Sequence, residues 1–368
     1  MPSDKKLRII HTEASPHWGG QEIRIFEEMK WFREQGHEMI LVAPDNGTLY
    51  QRCKDEDFEV ISLYFTKPRT LLNILRMIWV IWRKKPNVVA THSSTDSWAG
   101  LIAASLNNVR KRVRYRHVST PIKKNRLNKF QYLILSNLTI TTGNCIRTDI
   151  INKFKTDHGK VISIPTAISP PSQLKDRTAA RKLLSCEIPD IANKFIIGQV
   201  SVLRSWKGHK VLIDAFNILN SLHKNTSLVI VGDGPVRSDI EGYIKSTKNN
   251  GKIHLLGHKE DPFIFLRAFD LKVLASTKNE GIPQSILQAM YCQTPVIGTS
   301  IGGIPEIINH GVSGLIVEPN NAYQLANSII SVIKEYEKSE KMAQNAHHFV
   351  NLEFSKQKLW QRLIILFS

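Results

Sequence analysis

Short apolar runs alternate along the chain with longer segments in which apolar residues recur at helical spacing. Because successive parallel strands are joined by crossover helices, this alternation predicts parallel sheets with helices on both faces. The predicted strands of the first half are 7–11, 39–43, 88–92, 113–118, 139–142 and 161–164. Those of the second half are 195–200, 227–231, 253–256, 271–275, 296–298 and 315–317. The pattern therefore predicts an α/β protein built on two such sheets.

A proline-rich stretch, Pro165-Thr-Ala-Ile-Ser-Pro-Pro171, separates the two groups of strands. Prolines break both helix and sheet, so this stretch predicts the boundary between a first domain, 1–168, and a second domain, 169–354. Apolar residues at helical spacing predict a closing helix in the segment 355–368. With 368 residues in total, each half is large enough to bury its own hydrophobic core.

The segment after the predicted strand 271–275 combines an acid, a flexible backbone and a helix start. Its sequence is Glu280-Gly-Ile-Pro-Gln-Ser-Ile-Leu-Gln288, in which Pro283 suits the first turn of a helix. Free N–H groups at a helix start bind anions, and the glycines of Gly302-Gly303-Ile-Pro-Glu306 let a ligand approach the backbone. The segment is therefore a candidate diphosphate site, with an ordinary strand-to-helix turn as the alternative.

Two cations follow the predicted strand 195–200, in Ser201-Val-Leu-Arg204-Ser-Trp-Lys207-Gly208. When a bond to a phosphate leaving group breaks, negative charge accumulates on the departing phosphate. A guanidinium and an ammonium can stabilise this charge without a metal ion. Arg204 and Lys207 are therefore candidate catalytic residues, and ordinary exposed surface cations are the alternative.

The first domain offers a glycine turn and two histidines at the ends of predicted strands. Gly19 and Gly20 follow the first strand and lead into an amphipathic helix, an arrangement that presents helix N–H groups to phosphate. His92 and His117 lie at predicted carboxyl ends of strands, the edge where open α/β sheets bind ligands. A lone histidine is more often a buried structural residue, so position alone leaves both roles open.

Together these motifs resemble the retaining glycosyltransferases of family 4, and the resemblance covers nearly the whole chain. That family carries an acid, a spacer and a second acid, followed by a Gly-Gly-x-Pro-Glu segment. Glu280 matches the first acid, whereas Gln288 departs from the second. An amide can still hydrogen-bond vicinal hydroxyls, but it lacks the charge that makes such bonds roughly twice as strong. The segment from Arg204 to Gly208 resembles the family's Arg, spacer, Lys-Gly motif.

The resemblance implies the GT-B fold, in which two Rossmann-like domains face a central cleft and a C-terminal helix crosses back to the N-terminal domain. It implies that the second domain binds a nucleotide-diphosphate sugar and that the first binds the acceptor. It also implies the following contacts: Glu280 and His117 with the sugar, Arg204 and Lys207 with the leaving diphosphate, Gly19, Gly20, Gly281 and Ile282 with the donor phosphates, Gln288 with the ribose, and His258 and Lys259 with the base. It implies neither a cofactor nor a metal ion.

Other catalytic motifs fit less well. The turn Val231-Gly-Asp-Gly234-Pro lacks the third glycine of a dinucleotide fingerprint, which would fall at Arg237. The triplet Asp55-Glu-Asp57 is of the kind that metal-dependent glycosyltransferases use, but it lies in a polar segment with no strand directly before it. Two other functions remain open: a nucleotide-sugar epimerase of the same fold, and a non-catalytic partner subunit that binds nucleotide or lipid.

Positive charge is concentrated in one part of the chain, whose formal net charge is +18. Between residues 65 and 130 there are fifteen lysines and arginines and one acid, Asp96. The apolar run 71–82, which includes two tryptophans, adjoins Arg83-Lys84-Lys85. This combination favours an interfacial helix on an anionic membrane over a nucleic-acid surface. A core-facing helix with a solvated basic end is the alternative.

Cysteine use and the start of the chain bear on location. The four cysteines fall in no disulfide or metal-binding spacing, and no apolar signal segment precedes the first strand, so we expect a cytoplasmic protein. The run 71–82 is shorter than the roughly 18 apolar residues that span a membrane. We therefore expect a retaining, metal-independent glycosyltransferase, peripheral on the inner face of the cytoplasmic membrane. It would move a hexose-type sugar to a lipid-linked saccharide in envelope polysaccharide or lipopolysaccharide synthesis.

Overall fold

Residues 6–368 are described by the structure, a computed structural model. Its strands are β1 (Arg8–Thr12), β2 (Glu38–Ala43), β3 (Glu59–Ser62), β4 (Val88–Thr91), β5 (Lys111–Arg116), β6 (Leu138–Thr141), β7 (Val161–Ser163), β8 (Phe195–Val200), β9 (Thr226–Val231), β10 (Ile253–Leu255), β11 (Leu271–Leu274), β12 (Val296–Thr299) and β13 (Leu315–Val317). Its helices are α1 (Gly20–Glu34), α2 (Thr48–Asp55), α3 (Thr70–Lys84), α4 (Ser94–Leu106), α5 (Arg126–Phe130), α6 (Asn144–Phe154), α7 (Arg177–Glu187), α8 (His209–Leu222), α9 (Arg237–Lys245), α10 (Pro262–Ala268), α11 (Gln284–Tyr291), α12 (Ala322–Lys334), α13 (Tyr336–Glu353) and α14 (Lys356–Phe367). The chain divides into an N-terminal unit, residues 6–167 and 356–368, and a C-terminal unit, residues 168–355.

The N-terminal unit is built on a seven-stranded parallel sheet in the order β3-β2-β1-β4-β5-β6-β7. Its inner strands are buried on both faces, which explains their near-continuous apolar sequences. Right-handed crossovers place α1 and α2 on one face of the sheet and α3 to α6 on the other. A cluster that includes Ile10, Val89 and Met77 fills the layer between the sheet and the helices α3 and α4.

The C-terminal unit is built on a six-stranded parallel sheet in the order β10-β9-β8-β11-β12-β13. Its core includes Ile197 and Val273 from the central strands and Phe216 and Ile329 from α8 and α12. The strand order reverses between β8 and β11. The carboxyl ends of these two strands therefore form the crevice at which open α/β sheets bind ligands.

The closing helix α14 belongs to the N-terminal unit and packs on α1. The ring centres of Trp360 and Trp31 are 5.7 Å apart, and those of Phe367 and Phe32 are 5.8 Å apart. All four rings are buried. The return of this helix to the first unit, expected from the resemblance to GT-B enzymes, is confirmed.

The predicted α/β fold with two Rossmann-like domains is also confirmed. The twelve predicted strands all have counterparts, with ends shifted by at most two residues. The apolar pattern does not predict β3, because this edge strand is only partly buried and begins and ends in polar residues. Pro283 is the N-cap of α11 rather than a residue of its first turn, which corrects the predicted helix start by one position.

Candidate active site

Loops at the carboxyl edge of the C-terminal sheet bring the main donor-site candidates together. Arg204 and a short 3-10 helix, Ser205–Lys207, follow β8, and Glu280 lies in the loop after β11. Since β8 and β11 pair in the sheet, the two loops are neighbours. The N–H of Thr277 donates a hydrogen bond to the carbonyl oxygen of Trp206 at 2.8 Å and so ties one loop to the other.

Lys207 and Glu280 form a largely buried ion pair at this edge. The Nζ and Oε1 atoms are 2.6 Å apart, and the side chains are 18% and 6% exposed. The hydroxyl of Ser276 donates to the same Oε1. The side-chain amide of Gln199, in β8, donates to the carbonyl oxygen of Lys207 at 3.0 Å. The loop after β11 therefore fixes Glu280, and β8 fixes the backbone of Lys207.

Glycines are required where these loops pass one another. Gly208 has a φ of 69°, and a Cβ atom there would lie 1.8 Å from the carbonyl oxygen of Ala275. Gly302 has a φ of 58°, and a Cβ atom there would lie 2.1 Å from the carbonyl oxygen of Glu280. Any side chain at either position would push the backbone away. These glycines therefore seat the loop that carries Glu280.

The other donor-site candidates lie on the same two loops and on helix α11, which follows the second loop. The Arg204 guanidinium is exposed and lies 5.2 Å from the ring centre of a neighbouring tryptophan. Gly281 and Ile282 connect Glu280 to the start of α11. Gln288 lies in the second turn of that helix and is half-buried. The acid, the glycine that follows it and the start of α11 therefore come one after another along one edge of the sheet.

A buried lysine that belongs to none of the sequence motifs lies close to the ion pair. Lys272 is fully buried in β11, and its Nζ donates to the carbonyl oxygen of Val273 at 2.7 Å. Burial, and then the charge of Lys207, lower the pKa of the Lys272 ammonium well below its usual value, while Glu280 raises it. Its sequence signal is a charged residue inside an otherwise apolar strand.

His258 and Lys259 follow β10, at the edge of the C-terminal sheet. His258 is exposed. The Nζ of Lys259 forms an ion pair of 2.5 Å with Oε2 of Glu187 in α7. Because β10 is two strands away from β8, these residues lie apart from the Lys207–Glu280 pair along the sheet edge.

The two motifs that resemble those of other enzyme classes, the Gly-Asp-Gly turn and the acidic triplet 55–57, have structural explanations. A Cβ atom on Gly232 would lie 1.9 Å from the carbonyl oxygen of Ser201, so the Gly-Asp-Gly turn shapes the loop after β8. The triplet 55–57 lies at the end of α2, and its middle residue forms ion pairs with Lys30 and Arg33. It is a surface feature, as the sequence suggested.

In the N-terminal unit, Gly19 is the N-cap of α1 and Gly20 is its first residue. Glu13, buried just after β1, shapes the loop that leads to them. Its Oε1 accepts hydrogen bonds from the N–H groups of Ala14 and Ser15 at 2.7 and 2.8 Å. The predicted glycine turn is therefore present at a helix start, and Glu13 is a further residue of this loop that the motifs did not reveal.

His92 and His117 join His11 in a hydrogen-bonded row across the neighbouring strands β1, β4 and β5. The Nδ1 of His11 and the Nε2 of His92 share a hydrogen bond of 2.9 Å. The Nδ1 of His92 and the Nε2 of His117 share another of 2.9 Å. Burial lowers the pKa of all three imidazoles, that of His11 to about 3. All three are therefore neutral near pH 7, and His117 is the partly exposed end of the row.

Asp96, the one acid among the cations between 65 and 130, is not at the surface. It is fully buried, and its Oδ2 accepts hydrogen bonds from the Thr12 hydroxyl at 2.6 Å and from the N–H of His92 at 2.9 Å. Burial, and then the charge of Glu13, raise the pKa of the Asp96 carboxyl to about 7. Asp96 therefore anchors the strand ends instead of offsetting surface charge.

Helix α3 has two apolar faces. One face packs Met77, Val80 and Ile81 into the core. The other is exposed and carries four large residues, with their exposed fractions: Leu71 (73%), Leu75 (58%), Trp79 (56%) and Trp82 (66%). A core-facing helix with a solvated basic end does not account for this outer face. Further exposed apolar side chains lie on the same side of the sheet, in α5 and the turn that follows it: Leu127, Phe130 and Ile134.

Ten of the fifteen cations between 65 and 130 are exposed and five are not. Lys84 forms an ion pair with Glu59. Lys111, Arg112, Arg114 and Arg116 donate to backbone carbonyl oxygens within the N-terminal unit. The count of residues along the chain therefore overstates the surface charge. The exposed cations are Lys67, Arg69, Arg76, Arg83, Lys85, Arg110, Lys123, Lys124, Arg126 and Lys129.

Within residues 6–368, no three histidine, cysteine, aspartate or glutamate side chains are grouped closely enough to hold a metal ion. In the same part of the chain, no helix combines the length and apolar character needed to cross a bilayer. None of the four cysteines, all of which lie within the described residues, forms a disulfide.

Comparison with known proteins identifies the family. Residues 187–349 match the family described as "Glycosyl transferases group 1", and residues 18–170 match "Glycosyltransferase Family 4". The N-acetyl-alpha-D-glucosaminyl L-malate synthase of Bacillus anthracis is 26% identical to this chain, over 83% of this chain and 73% of its own length. The UDP-Gal:alpha-D-GlcNAc-diphosphoundecaprenol alpha-1,3-galactosyltransferase of Escherichia coli is 24% identical, over 89% of this chain and 88% of its own. A glycosyltransferase structure from Rickettsia africae has a TM-score of 0.87 at 24% identity and covers 98% of both chains.

These similarities agree with the architecture of each unit. The structural likeness supports the GT-B fold, and one family match falls on each unit. Both family matches are to glycosyltransferases, and relatives such as the Escherichia coli enzyme are glycosyltransferases by name, so the chain belongs to the GT-B glycosyltransferases of family 4, the group 1 type.

Proposed function

We propose that the protein is a retaining, metal-independent glycosyltransferase that moves a hexose-type sugar from a nucleotide-diphosphate sugar to a saccharide acceptor. The observation that carries this proposal is the Lys207–Glu280 pair beside the exposed Arg204, at the point where the strand order of the C-terminal sheet reverses. At this edge, one anionic ligand would find two cations, a carboxylate and the start of a helix. Such a set suits a sugar diphosphate.

The donor diphosphate is proposed to bind at the start of α11. Backbone N–H groups of Gly281 and Ile282, with the positive end of the helix, would stabilise its negative charge. As the bond between sugar and phosphate breaks, Arg204 and Lys207 would take up the charge that develops on the departing diphosphate. Gln288 would hydrogen-bond the ribose. All of these groups belong to the C-terminal unit.

Glu280 is proposed to accept hydrogen bonds from hydroxyl groups of the sugar. Its Oε1 already accepts from Ser276 and Lys207, so the carboxylate is fixed in place, and we propose that Oε2 accepts from the ligand. A carboxylate forms hydrogen bonds about twice as strong as those of a neutral acceptor. Glu280 therefore orients the sugar and aligns the Lys207 ammonium rather than acting as a covalent nucleophile.

For the N-terminal unit, we propose that His117 contacts the transferred sugar and that the turn at Gly19 and Gly20 meets the donor phosphates and the acceptor. For the nucleotide base, we propose the loop of His258 and Lys259. Lys259 would then exchange its ion pair with Glu187 for the ligand. These roles rest on the family resemblance and on the positions of the residues at strand ends.

The acceptor is proposed to be lipid-linked, and the protein to be cytoplasmic and peripheral on the inner face of the membrane. The outer face of α3 is apolar, with two exposed tryptophans, and Arg76 and Arg83 lie exposed along its side. Apolar residues that enter the interface beside cations that meet anionic headgroups are typical of interfacial helices. The name of the Escherichia coli relative gives a UDP-sugar donor and a diphosphoundecaprenol-linked acceptor, which supports a role in envelope polysaccharide or lipopolysaccharide synthesis.

Co-sedimentation with vesicles tests the membrane proposal. Trp79→Ser/Trp82→Ser and Arg76→Glu/Arg83→Glu should each release the protein from anionic vesicles, and salt should weaken binding because screening acts over about 8 Å at physiological ionic strength. The matched controls lie on the other side of the sheet: Ile365→Ser, in α14, and Lys54→Glu, in α2, should bind like the unchanged protein. Equal binding to neutral and anionic vesicles, or binding to neither, would contradict the proposal.

Product analysis tests the reaction. With an active donor and acceptor pair, NMR of the product should show the anomeric configuration of the donor sugar, and transfer should persist in excess chelator. An inverted linkage would rule out the retaining mechanism. Activity that is lost with chelator and restored by magnesium or manganese would rule out metal independence.

A further inference from the structure

The row of three neutral imidazoles can carry its protons in only two arrangements. A neutral imidazole has one N–H group and one bare nitrogen. If His92 donates through Nδ1 to His117, its Nε2 must accept from His11; if it donates through Nε2 to His11, its Nδ1 must accept from His117. The two hydrogen bonds of 2.9 Å therefore point the same way along the row. All three rings are Nδ1–H tautomers in the first arrangement and Nε2–H tautomers in the second.

The buried end of the row faces a carboxylate. The Nε2 of His11 has no hydrogen-bond partner within residues 6–368 and lies 4.0 Å from Oε1 of Glu28. Tyr115 donates its hydroxyl proton to Oε1 of Glu28 at 2.6 Å, and the Nε of Arg24 donates to Oε2 at 3.4 Å. Burial raises the pKa of Glu28, while the charge of Arg24 lowers it. Because a neutral Glu28 would leave the fully buried Arg24 guanidinium without a counter-charge, Glu28 is a carboxylate.

An N–H group that faces a carboxylate is attracted to it, whereas a bare nitrogen in the same place is repelled. We therefore propose that Glu28 fixes the row as Nε2–H tautomers, so that the outer nitrogen of His117, Nδ1, is bare and accepts a hydrogen bond from the ligand. Glu28, His11 and His92 are then positioning residues for His117. The ring of Tyr115 stacks on His92, with ring centres 4.5 Å apart, and on His117, at 5.8 Å, and so keeps the rings aligned.

This inference deepens the proposed function and rests on it in one respect, the contact of His117 with the sugar. A bare Nδ1 selects a hydroxyl group, which can donate, over a carbonyl or phosphate oxygen, which cannot. The hydrogen bond that one ring nitrogen of a histidine makes determines whether its other ring nitrogen carries the proton. Here this dependence extends from His117 through the two other imidazoles to the carboxylate of Glu28. His117 would therefore recognise a sugar hydroxyl at neutral pH without carrying a charge.

Nitrogen NMR of protein labelled with ¹⁵N-histidine tests the tautomers without any ligand, because protonated and bare ring nitrogens have well-separated chemical shifts. The signals are assigned by single substitutions of His11, His92 and His117. The expected result is an Nε2–H tautomer at all three positions. Nδ1–H tautomers at all three positions would overturn the proposal.

Glu28→Gln removes the charge and places an amide N–H within reach of His11. The row should then shift toward Nδ1–H tautomers, whereas Tyr115→Phe, which keeps the charge, should leave them unchanged. Unaltered tautomers in a folded Glu28→Gln protein would overturn the role of Glu28. If that variant does not fold, His92→Phe interrupts the row, and His117 should become a mixture of both tautomers. A pure Nε2–H tautomer at His117 in His92→Phe would contradict control by the row.

Turnover separates this inference from the proposed function. His92→Phe should lower kcat by about 10- to 100-fold, the effect of one misdirected hydrogen bond at a buried site, and change KM for the donor little. An unchanged kcat in His92→Phe would overturn its positioning role. If the tautomers are as expected but His117→Asn turns over donor normally, the row stands and the proposed sugar contact of His117 fails.

Discussion

Lys207→Met should destabilise the protein and slow transfer, because it leaves the Glu280 carboxylate buried without its counter-charge. Two unit charges 2.6 Å apart attract by about 6 kcal/mol at an effective dielectric constant of about 20. Desolvation cancels much of this attraction, but removal of one partner from a buried pair typically costs about 3–5 kcal/mol. Lys207 is 18% exposed, so water offsets part of the loss and we expect a cost of about 3 kcal/mol, at the lower end of that range.

Urea denaturation measures this cost, and Lys210→Met is the matched control. Lys210 lies three residues after Lys207 and pairs with Asp239 at 2.8 Å, but both side chains are about half exposed. Its removal should cost at most about 1 kcal/mol. In Lys207→Met, turnover should fall by about 30- to 1,000-fold, corresponding to about 2–4 kcal/mol of lost charge stabilisation in the transition state. If Lys207→Met resembled Lys210→Met in both stability and turnover, the reasoning from the ion pair would be refuted.

Three further predictions concern other parts of the structure. Gln288→Glu should tighten donor binding by up to about 1 kcal/mol in calorimetry, because a charged acceptor strengthens a hydrogen bond, and Gln288→Ala should weaken it; insensitivity to alanine would remove the ribose role. Gly302→Ala should destabilise the protein by about 1–3 kcal/mol more than Gly311→Ala. Both glycines have positive φ, but a Cβ atom at Gly302 would meet the Glu280 carbonyl oxygen, whereas one at Gly311 would meet open space. Equal losses of stability in urea denaturation would contradict this packing. Burial, and then the charge of Glu13, raise the pKa of Glu22 to about 7, so the contribution of Glu22 to stability is full below its unfolded pKa and is lost as pH rises through about 7. From pH 5 to pH 8 the free energy of unfolding should therefore fall by about 2–3 kcal/mol more in the unchanged protein than in Glu22→Gln. Parallel pH profiles of the two proteins would show that the pKa of Glu22 is not raised.

Most of the fold follows from the sequence because its strands are buried on both faces and therefore appear as short apolar runs. The strand β3 is the exception, since half of an edge strand is exposed and its alternation is weak. The glycine-rich loops after β8, β11 and β12 can also be predicted from the sequence. Positions with positive φ and close backbone contact, such as Gly208 and Gly302, require glycine, and the glycines are visible in the sequence.

The side-chain networks could not be predicted, because they depend on strand register between distant segments. His11, His92 and His117 are 81 and 25 residues apart in sequence and meet only because β1, β4 and β5 are adjacent. The burial of Asp96 likewise depends on its contact with Thr12, 84 residues away. Charge counted along the chain cannot separate a buried arginine from an exposed one.

Incubation of the purified protein with a panel of nucleotide-diphosphate sugars, followed by mass spectrometry, tests the central claim most directly. We predict that at least one donor loses its sugar to water or to an added saccharide acceptor, with release of the nucleoside diphosphate. We also predict that Lys207→Met greatly slows this release while Lys210→Met does not. No turnover of any donor, or a sugar that changes configuration while still attached to its nucleotide, would contradict transfer and favour a binding subunit or an epimerase.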